Sequence, residues 1–301
     1  MRIVSLFPAA TEIVCALGLR DRLVGVSHRC DYPPEIEGVA VVTRPRTGEA
    51  VVAASGGGAA GDEMGPAELD RAALLSSQPD LVIVRERGAG PNAGAVREAL
   101  GETVSVPSIL SLDPVSLEGI FHSITSIGAM AEMEDEAIGL LEALREDLGE
   151  LEQEVVARHD QGLRPRRVVV LEGLRPPLAS GCWVPEQVRR AGGWDLLGHE
   201  GEPVSPTSWE AVRDVDPEML VLAPAGMSLG EVKRAWARTE KPEFWDEIEA
   251  VRRGHVFIVE PVYFSRPGPR VVDGVGMLAE IFDPEGFIET SPPASWTPLF
   301  E

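Results

Sequence analysis

Arginine recurs in the segments that follow short apolar, strand-like runs. His28-Arg29-Cys30 follows Leu23–Val26, Arg44-Pro45-Arg46 follows Val39–Val42, and Arg85-Glu86-Arg87 follows Leu81–Val84. Later in the chain, Trp183 and the turn Phe264-Ser265-Arg266 add two aromatic rings and another guanidinium. A guanidinium is a planar fork of donors suited to carboxylate, phosphate or amide oxygens. In open α/β sheets, ligands collect in the crevice outside the carboxyl ends of the strands. His28, Arg29, Arg44, Arg46, Arg85, Trp183, Phe264 and Arg266 are therefore expected to line a ligand site. For any one of these arginines a surface ion pair is the plainer role; their shared place after strands argues for the group.

Signals for catalysis are sparse. Acid–base chemistry needs a base beside an orienting partner, and His28 with Glu86 is the only tempting pair. The sequence holds no G-x-S-x-G, H-E-x-x-H or Walker loop. Gly56-Gly57-Gly58-Ala59-Ala60-Gly61 matches G-x-G-x-x-G by letter, but Gly65-Pro66 follows where a helix would have to start. No catalytic residue is assigned, and the chain is expected not to be an enzyme. Cys30, Cys182 and His28 offer soft-metal ligands. Their spacing is not a zinc pattern, and free cysteines commonly pack as small apolar side chains, so no metal site is assigned.

The net charge of -22 excludes nucleic acid, whose phosphates demand a basic face, and an anionic membrane surface for the same reason. Three widely spaced cysteines, Cys15, Cys30 and Cys182, are not a disulfide framework and suit a reducing compartment. Met1-Arg2 runs at once into Ile3–Leu6, Glu12 interrupts any signal-like apolar run, and no stretch is apolar enough to span a bilayer. These features predict a cytoplasmic protein with no membrane insertion.

The elements that must position the candidate residues alternate. Strands are expected at Ile3–Leu6, Leu23–Val26, Val39–Val42, Leu81–Val84 and Thr103–Val106, with a helix over Thr11–Leu17. Short apolar runs separated by helices indicate a parallel sheet. Residues 47–66, rich in Gly and Ala, read as a surface loop. Ser116–Met130 is helical, and Glu134–Arg158 is a long amphipathic helix with Ile138, Leu141, Leu144, Leu148, Leu151 and Val155 on one face. Strands resume at Arg167–Leu171, Met219–Leu222 and His255–Val259, with helices at Glu186–Ala191 and Leu229–Arg238. Gln78-Pro79-Asp80 before one strand is echoed by Asp216-Pro217-Glu218 before another. The predicted fold is two α/β lobes with mainly parallel sheets, residues 1–113 and 161–301, joined by helices over 114–160.

Several motifs carry a family resemblance. They are Arg2-Ile3-Val4-Ser5-Leu6 with Pro8, Thr11 and Glu12; Leu17-Gly18-Leu19; Asp31-Tyr32-Pro33-Pro34; Gly181-Cys182-Trp183-Val184-Pro185-Glu186; and Tyr263 through Arg270. In this order the chain resembles the iron-siderophore and vitamin B12 substrate-binding proteins of ABC importers, closest to a signal-less cobalamin-binding branch. The resemblance implies a class III substrate-binding fold, a stiff helical hinge, and a ligand held between the lobes: cobalamin or another metal chelate, with no cofactor required. It also implies aromatic residues in the cleft, where this chain has Arg29, Arg44 and Arg85, so a ligand more anionic than cobalamin is an equal alternative. Docking to a permease in this family uses one exposed glutamate per lobe. Glu210 occupies the second-lobe position, but Ala72 occupies the first, so docking is expected to be impaired. Three other readings remain: an enzyme acting on a tetrapyrrole- or siderophore-like compound, a receptor delivering its ligand to an ABC importer, and an interaction module with a vestigial cleft.

Overall fold

The computed structural model describes residues 1–46, 67–88, 90–101 and 106–300. The amino-terminal lobe runs through β1 (Ile3–Ser5), α1 (Pro8–Ala16), β2 (Leu23–Val26), β3 (Thr43–Pro45), β4 (Ala67–Leu69), α2 (Arg71–Ser77), β5 (Leu81–Arg85), α3 (Ala93–Leu100) and β6 (Ser108–Leu112). Two helices follow, α4 (Leu117–Ala131) and α5 (Glu134–Asp160). The carboxy-terminal lobe contains β7 (Arg166–Leu174), β8 (Pro177–Ala179), α6 (Val184–Arg190), β9 (Gly193–Asp195), β10 (Ser205–Pro206), α7 (Trp209–Val215) and β11 (Met219–Leu222). It ends with α8 (Leu229–Ala237), α9 (Glu249–Arg252), β12 (Val256–Val259), α10 (Val262–Ser265), α11 (Val271–Phe282) and β13 (Trp296–Pro298).

The first sheet has the order β2-β1-β5-β6 and is parallel throughout. In the second, β9, β11 and β12 run parallel to their neighbours around β7, while β8, β10 and β13 add antiparallel edges. Central strands are buried on both faces, which is why they read as unbroken apolar runs. Val168 and Val170 pack into the same core as α5 and α11, while Val169 and Leu171 pack into a second core under α7 and α8. One-residue alternation thus divides a uniform valine run between two layers.

The two lobes share a local plan. Asp70 and Ser208 cap seven-residue helices α2 and α7 by accepting from Ala73 and Ala211 amides. Both helices end at left-handed residues, Gln78 (φ 42°) and Asp216 (φ 43°). Arg2 donates to the Ser77 and Gln78 carbonyls, and Arg167 to those of Val215 and Asp216. The Asp80 and Glu218 carboxylates accept from the Arg2 and Arg167 amides. The echo in sequence is thus a repeated helix-to-strand turn, and it places Ala72 and Glu210 at equivalent exposed positions.

The connecting helix α5 has 27 residues, about 40 Å of axial length. Leu141, Leu144, Leu148 and Val155 are buried and Leu151 is partly so. Ile138, assigned to the same face, is instead 52% exposed, and Ala137 takes the inward place one position earlier. Helix α5 is tied to the first-lobe side by Arg145–Glu118 (2.9 Å) and to α11 by Arg158–Asp283 (2.6 Å).

One strand expectation needs correction. Val39–Val42 supplies only a bridge between Val41 and Val26, and the strand starts at Thr43, where it pairs with Ala67–Leu69. Strand β6 occupies Ser108–Leu112; the strand expected at Thr103–Val106 falls largely on residues 102–105, which lie outside the described residues, as do residues 47–66 and their glycine motif. Among the described residues, no helix is long and apolar enough to cross a membrane.

Candidate functional site

Parallel strands end on the same side of a sheet, so the loops after β2, β11 and β12 converge. They enclose a cavity of about 290 Å³ between the lobes. The first lobe contributes His28, Arg29 and Asp31; the second contributes Gly226–Ser228, Glu231, Glu260, Val262 and Arg266. The second-lobe wall is fixed by helix capping. Ser228 and Glu231 form a reciprocal capping box at the start of α8, and Glu260 accepts from the Leu229 amide at 2.9 Å.

One wall of the cavity is an ion-pair network that crosses the cleft. Arg266 is 6% exposed and grips Asp31 with both terminal nitrogens, at 2.6 and 3.1 Å. Its Nη1 also reaches Glu12 Oε1 at 3.1 Å. Arg270 donates to both oxygens of Glu12, at 2.9 and 2.6 Å, and stacks over Tyr32 with its guanidinium carbon 4.3 Å from the ring centre. Burial pushes the Asp31 carboxyl up, but the hydrogen bonds and charge of Arg266, then the charge of Arg270, outweigh it and hold the group below the usual carboxylate range. A Cβ at position 268 would lie 3.5 Å from that of Ala9, so Gly268 brings the lobes into close contact beside this network.

His28 is anchored rather than mobile. Its amide donates to Thr43 Oγ1 at 2.9 Å, and its Nδ1 lies 2.7 Å from the same oxygen. Burial, then the neighbouring Arg29 charge, lowers its pKa, so the ring is neutral at pH 7. Behind it, Thr11 Oγ1 donates to Ser5 Oγ at 2.8 Å and lies 3.0 Å from Cys30 Sγ.

A second polar cluster sits where β7 meets the loop before α6. Glu172 is buried, and its carboxyl accepts from the Gly181 amide at 3.0 Å. Burial raises its pKa to about 8, with the Asp195 charge adding to the rise and the Gly181 amide and Arg85 charge opposing it. A Cβ on Gly181 would sit 2.5 Å from the Glu202 carbonyl and the Val204 amide nitrogen, so only glycine allows this approach. Cys182 follows at φ 51°, and burial, then Glu172, raises its thiol to about 11.

Comparison with known proteins bears on what this cleft belongs to. Residues 3–263 match the model of the periplasmic binding protein family. The chain belongs to the periplasmic binding protein family. This is a family of binding proteins, not a family of enzymes. It is 26% identical over 294 residues to the ABC transporter substrate-binding lipoprotein YvrC of Bacillus subtilis, spanning 96% of this chain and 82% of that one. It is also 26% identical over 278 residues to the vitamin B12-binding protein of Vibrio cholerae, spanning 91% and 86%. The periplasmic heme-binding protein BhuT, solved with two hemes, superposes with a TM-score of 0.71 at 21% identity over 94% of this chain and 98% of that one. The vitamin B12 binding protein BtuF of Vibrio cholerae gives 0.66 at 24% identity, over 94% and 96%. These structures share the two-lobed fold.

Within this binding protein, His28, Arg29 and Arg266 line the cavity as a group. The other expected residues are placed elsewhere. Arg44 pairs with Glu68 at 2.6 Å across the antiparallel strands β3 and β4, and Arg46 is exposed beside it. Arg85, at the end of β5, sits in the field of Glu172. Trp183 is 1% exposed and Phe264 fully buried, both within the main apolar core. The suggested pairing of His28 with Glu86 is not formed: Glu86 accepts from Ser111 at 3.1 Å while His28 engages Thr43. Cys30 packs against Thr11 and Ser27, and Cys182 lies near Glu172 and Arg85. Burial raises both thiols, which makes them poor thiolate donors. Among the described residues, no three His, Cys, Asp or Glu side chains gather to hold a metal ion.

Sequence reasoning did not assign Glu12, Asp31, Glu231, Glu260 or Arg270 to the site. For Glu12 a signal existed: it is a lone charge in the apolar helix Pro8–Ala16, and a charge so placed needs a partner.

Proposed function

We propose that this protein binds a small ligand, a cobalamin-like corrinoid or another metal chelate, in the cleft between its lobes and presents it to an ABC importer. The observation that carries this reading is the cavity lined from both lobes at the carboxyl ends of β2, β11 and β12. Its volume of about 290 Å³ is at the low end for a ligand pocket, so it holds part of a large chelate and leaves the rest toward the cleft mouth. His28, Arg29 and Arg266 are its proposed contacts; Arg44, Arg46 and Arg85 belong to its surroundings, with Trp183 and Phe264 supporting from the core. The vitamin B12-binding relatives favour the corrinoid over other chelates.

Docking uses the exposed outer helices of both lobes. Glu210 on α7 is the proposed second-lobe contact, and the absence of a glutamate at Ala72 narrows the contact without removing it. A receptor that feeds an importer must meet its ligand on the supply side of the membrane. The YvrC relative is a lipoprotein, so its attachment also speaks against the cytoplasmic location expected from composition.

Equilibrium dialysis of the purified protein against cyanocobalamin, haemin and ferrioxamine B tests the reading. Saturable binding of at least one at micromolar concentration is expected, and no binding of any would overturn it. Fractionation of cells expressing the full-length gene tests the location.

A further inference from the structure

Arg266 is the most deeply set guanidinium of the cavity wall, and its fork is already occupied. Asp31 takes both of its terminal nitrogens, and Glu12 takes a third contact from below. Glu12 in turn holds Arg270, so the four groups balance to zero. Across the cavity, Glu231 and Glu260 face Arg29, and His28 is neutral at pH 7. Among the described residues the lining therefore carries two guanidinium groups against three carboxylates. Counting arginines alone suggests an anion site; their pairing reverses that conclusion.

We infer that Asp31 is a specificity-determining residue: its carboxylate occupies the place on Arg266 that a ligand carboxylate or phosphate would need, so the cleft selects neutral or cationic chelates over anionic ones. This rests on the ligand-binding reading above and deepens it by naming the charge class. Two features make Asp31 suited to the role. Its side chain is 66% exposed while Arg266 is 7% exposed, so Asp31 is the replaceable partner on the solvent side of a fixed fork. A competing anion must displace an intramolecular bidentate pair, which is present at high effective concentration.

The test compares the full chain with Asp31→Asn and Asp31→Glu, using probes of different charge. Cyanocobalamin is neutral, ferrioxamine B is cationic, haemin carries two propionates, and ferric enterobactin is a trianion. The unmodified protein is expected to bind a neutral or cationic probe at least about tenfold more tightly than either anionic one. In Asp31→Asn the preference should shrink about tenfold through tighter binding of the anions, and Asp31→Glu should keep it. Equal affinity of the unmodified protein for anionic and neutral probes would overturn the inference, as would a preference unaltered in Asp31→Asn. Citrate provides a second readout that does not depend on chelate binding. It should raise the thermal midpoint of Asp31→Asn and not that of the unmodified protein. If no chelate binds but citrate behaves in this way, the metal-chelate reading fails while the charge screen stands. If citrate stabilises both proteins alike, the screen fails.

Discussion

A carboxylate that is 4% exposed, as Glu12 is, remains only because two guanidiniums compensate its lost hydration. Removing one partner of such a buried network strands the other charges, which costs about 3–5 kcal/mol. Glu12→Gln is therefore expected to lower the urea midpoint by an amount equivalent to about 3 kcal/mol; an unchanged midpoint would contradict the network's role. Glu172 behaves in the opposite sense. Its folded-state pKa of about 8 lies above the ordinary value, so the folded protein binds the extra proton. The stability linked to this group is present below the unfolded pKa and is lost as pH rises toward and through 8. Denaturation at pH 5 and pH 8 should show that loss, and Glu172→Gln should reduce it. The contrast between the two positions explains what was legible at this scale. Residue type located His28, Arg29 and Arg266, but charge pairing depends on residues more than 230 positions apart, such as Asp31 and Arg266. No local pattern encodes that distance.

At the scale of elements, periodicity was the reliable guide wherever burial was uniform. The runs Met219–Leu222 and Leu23–Val26 have the bounds expected of them, because both are buried strands flanked by turn chemistry. The failure at Val39–Val42 has a physical cause: these residues sit at the sheet edge, where Val41 is 52% exposed and forms a single bridge. Helix α5 shows the same limit. Its three-and-four spacing admits Ile138, yet Ala137, four residues before Leu141, holds the inward place on the same regular face. Substituting alanine at Leu148 should therefore cost about 2–5 kcal/mol by leaving a cavity, whereas Ile138→Ala should fall within about 0.5 kcal/mol of the parent. Equal losses at the two positions, read by chemical denaturation, would refute the assigned face. Gly181→Ala provides a test of a loop: with 2.5 Å to two backbone atoms, the change should displace the Glu172–Gly181 hydrogen bond and lower the thermal midpoint.

At the scale of the molecule, α5 packs against both α4 and α11 and carries ion pairs toward each, so the lobes are joined by a braced rod rather than a flexible tether. Ligand binding is expected to change the radius of gyration little; scattering curves that differ strongly between the free and cyanocobalamin-bound protein would argue against a stiff hinge. A ligand at a hundredfold excess over its dissociation constant should still stabilise the protein by about 2.7 kcal/mol, visible as a raised melting temperature. The clasp of Glu12 and Asp31 with Arg266 and Arg270 gives this rod a further consequence. Its acids belong to one lobe and its bases to the other, so any motion that parts the lobes pulls opposite charges away from each other. The clasp is electrically neutral when closed and becomes a pair of oppositely signed faces when pried open. An importer that spreads the lobes would thereby do electrical work as well as mechanical work, and the emptied receptor would carry a restoring attraction that draws it shut.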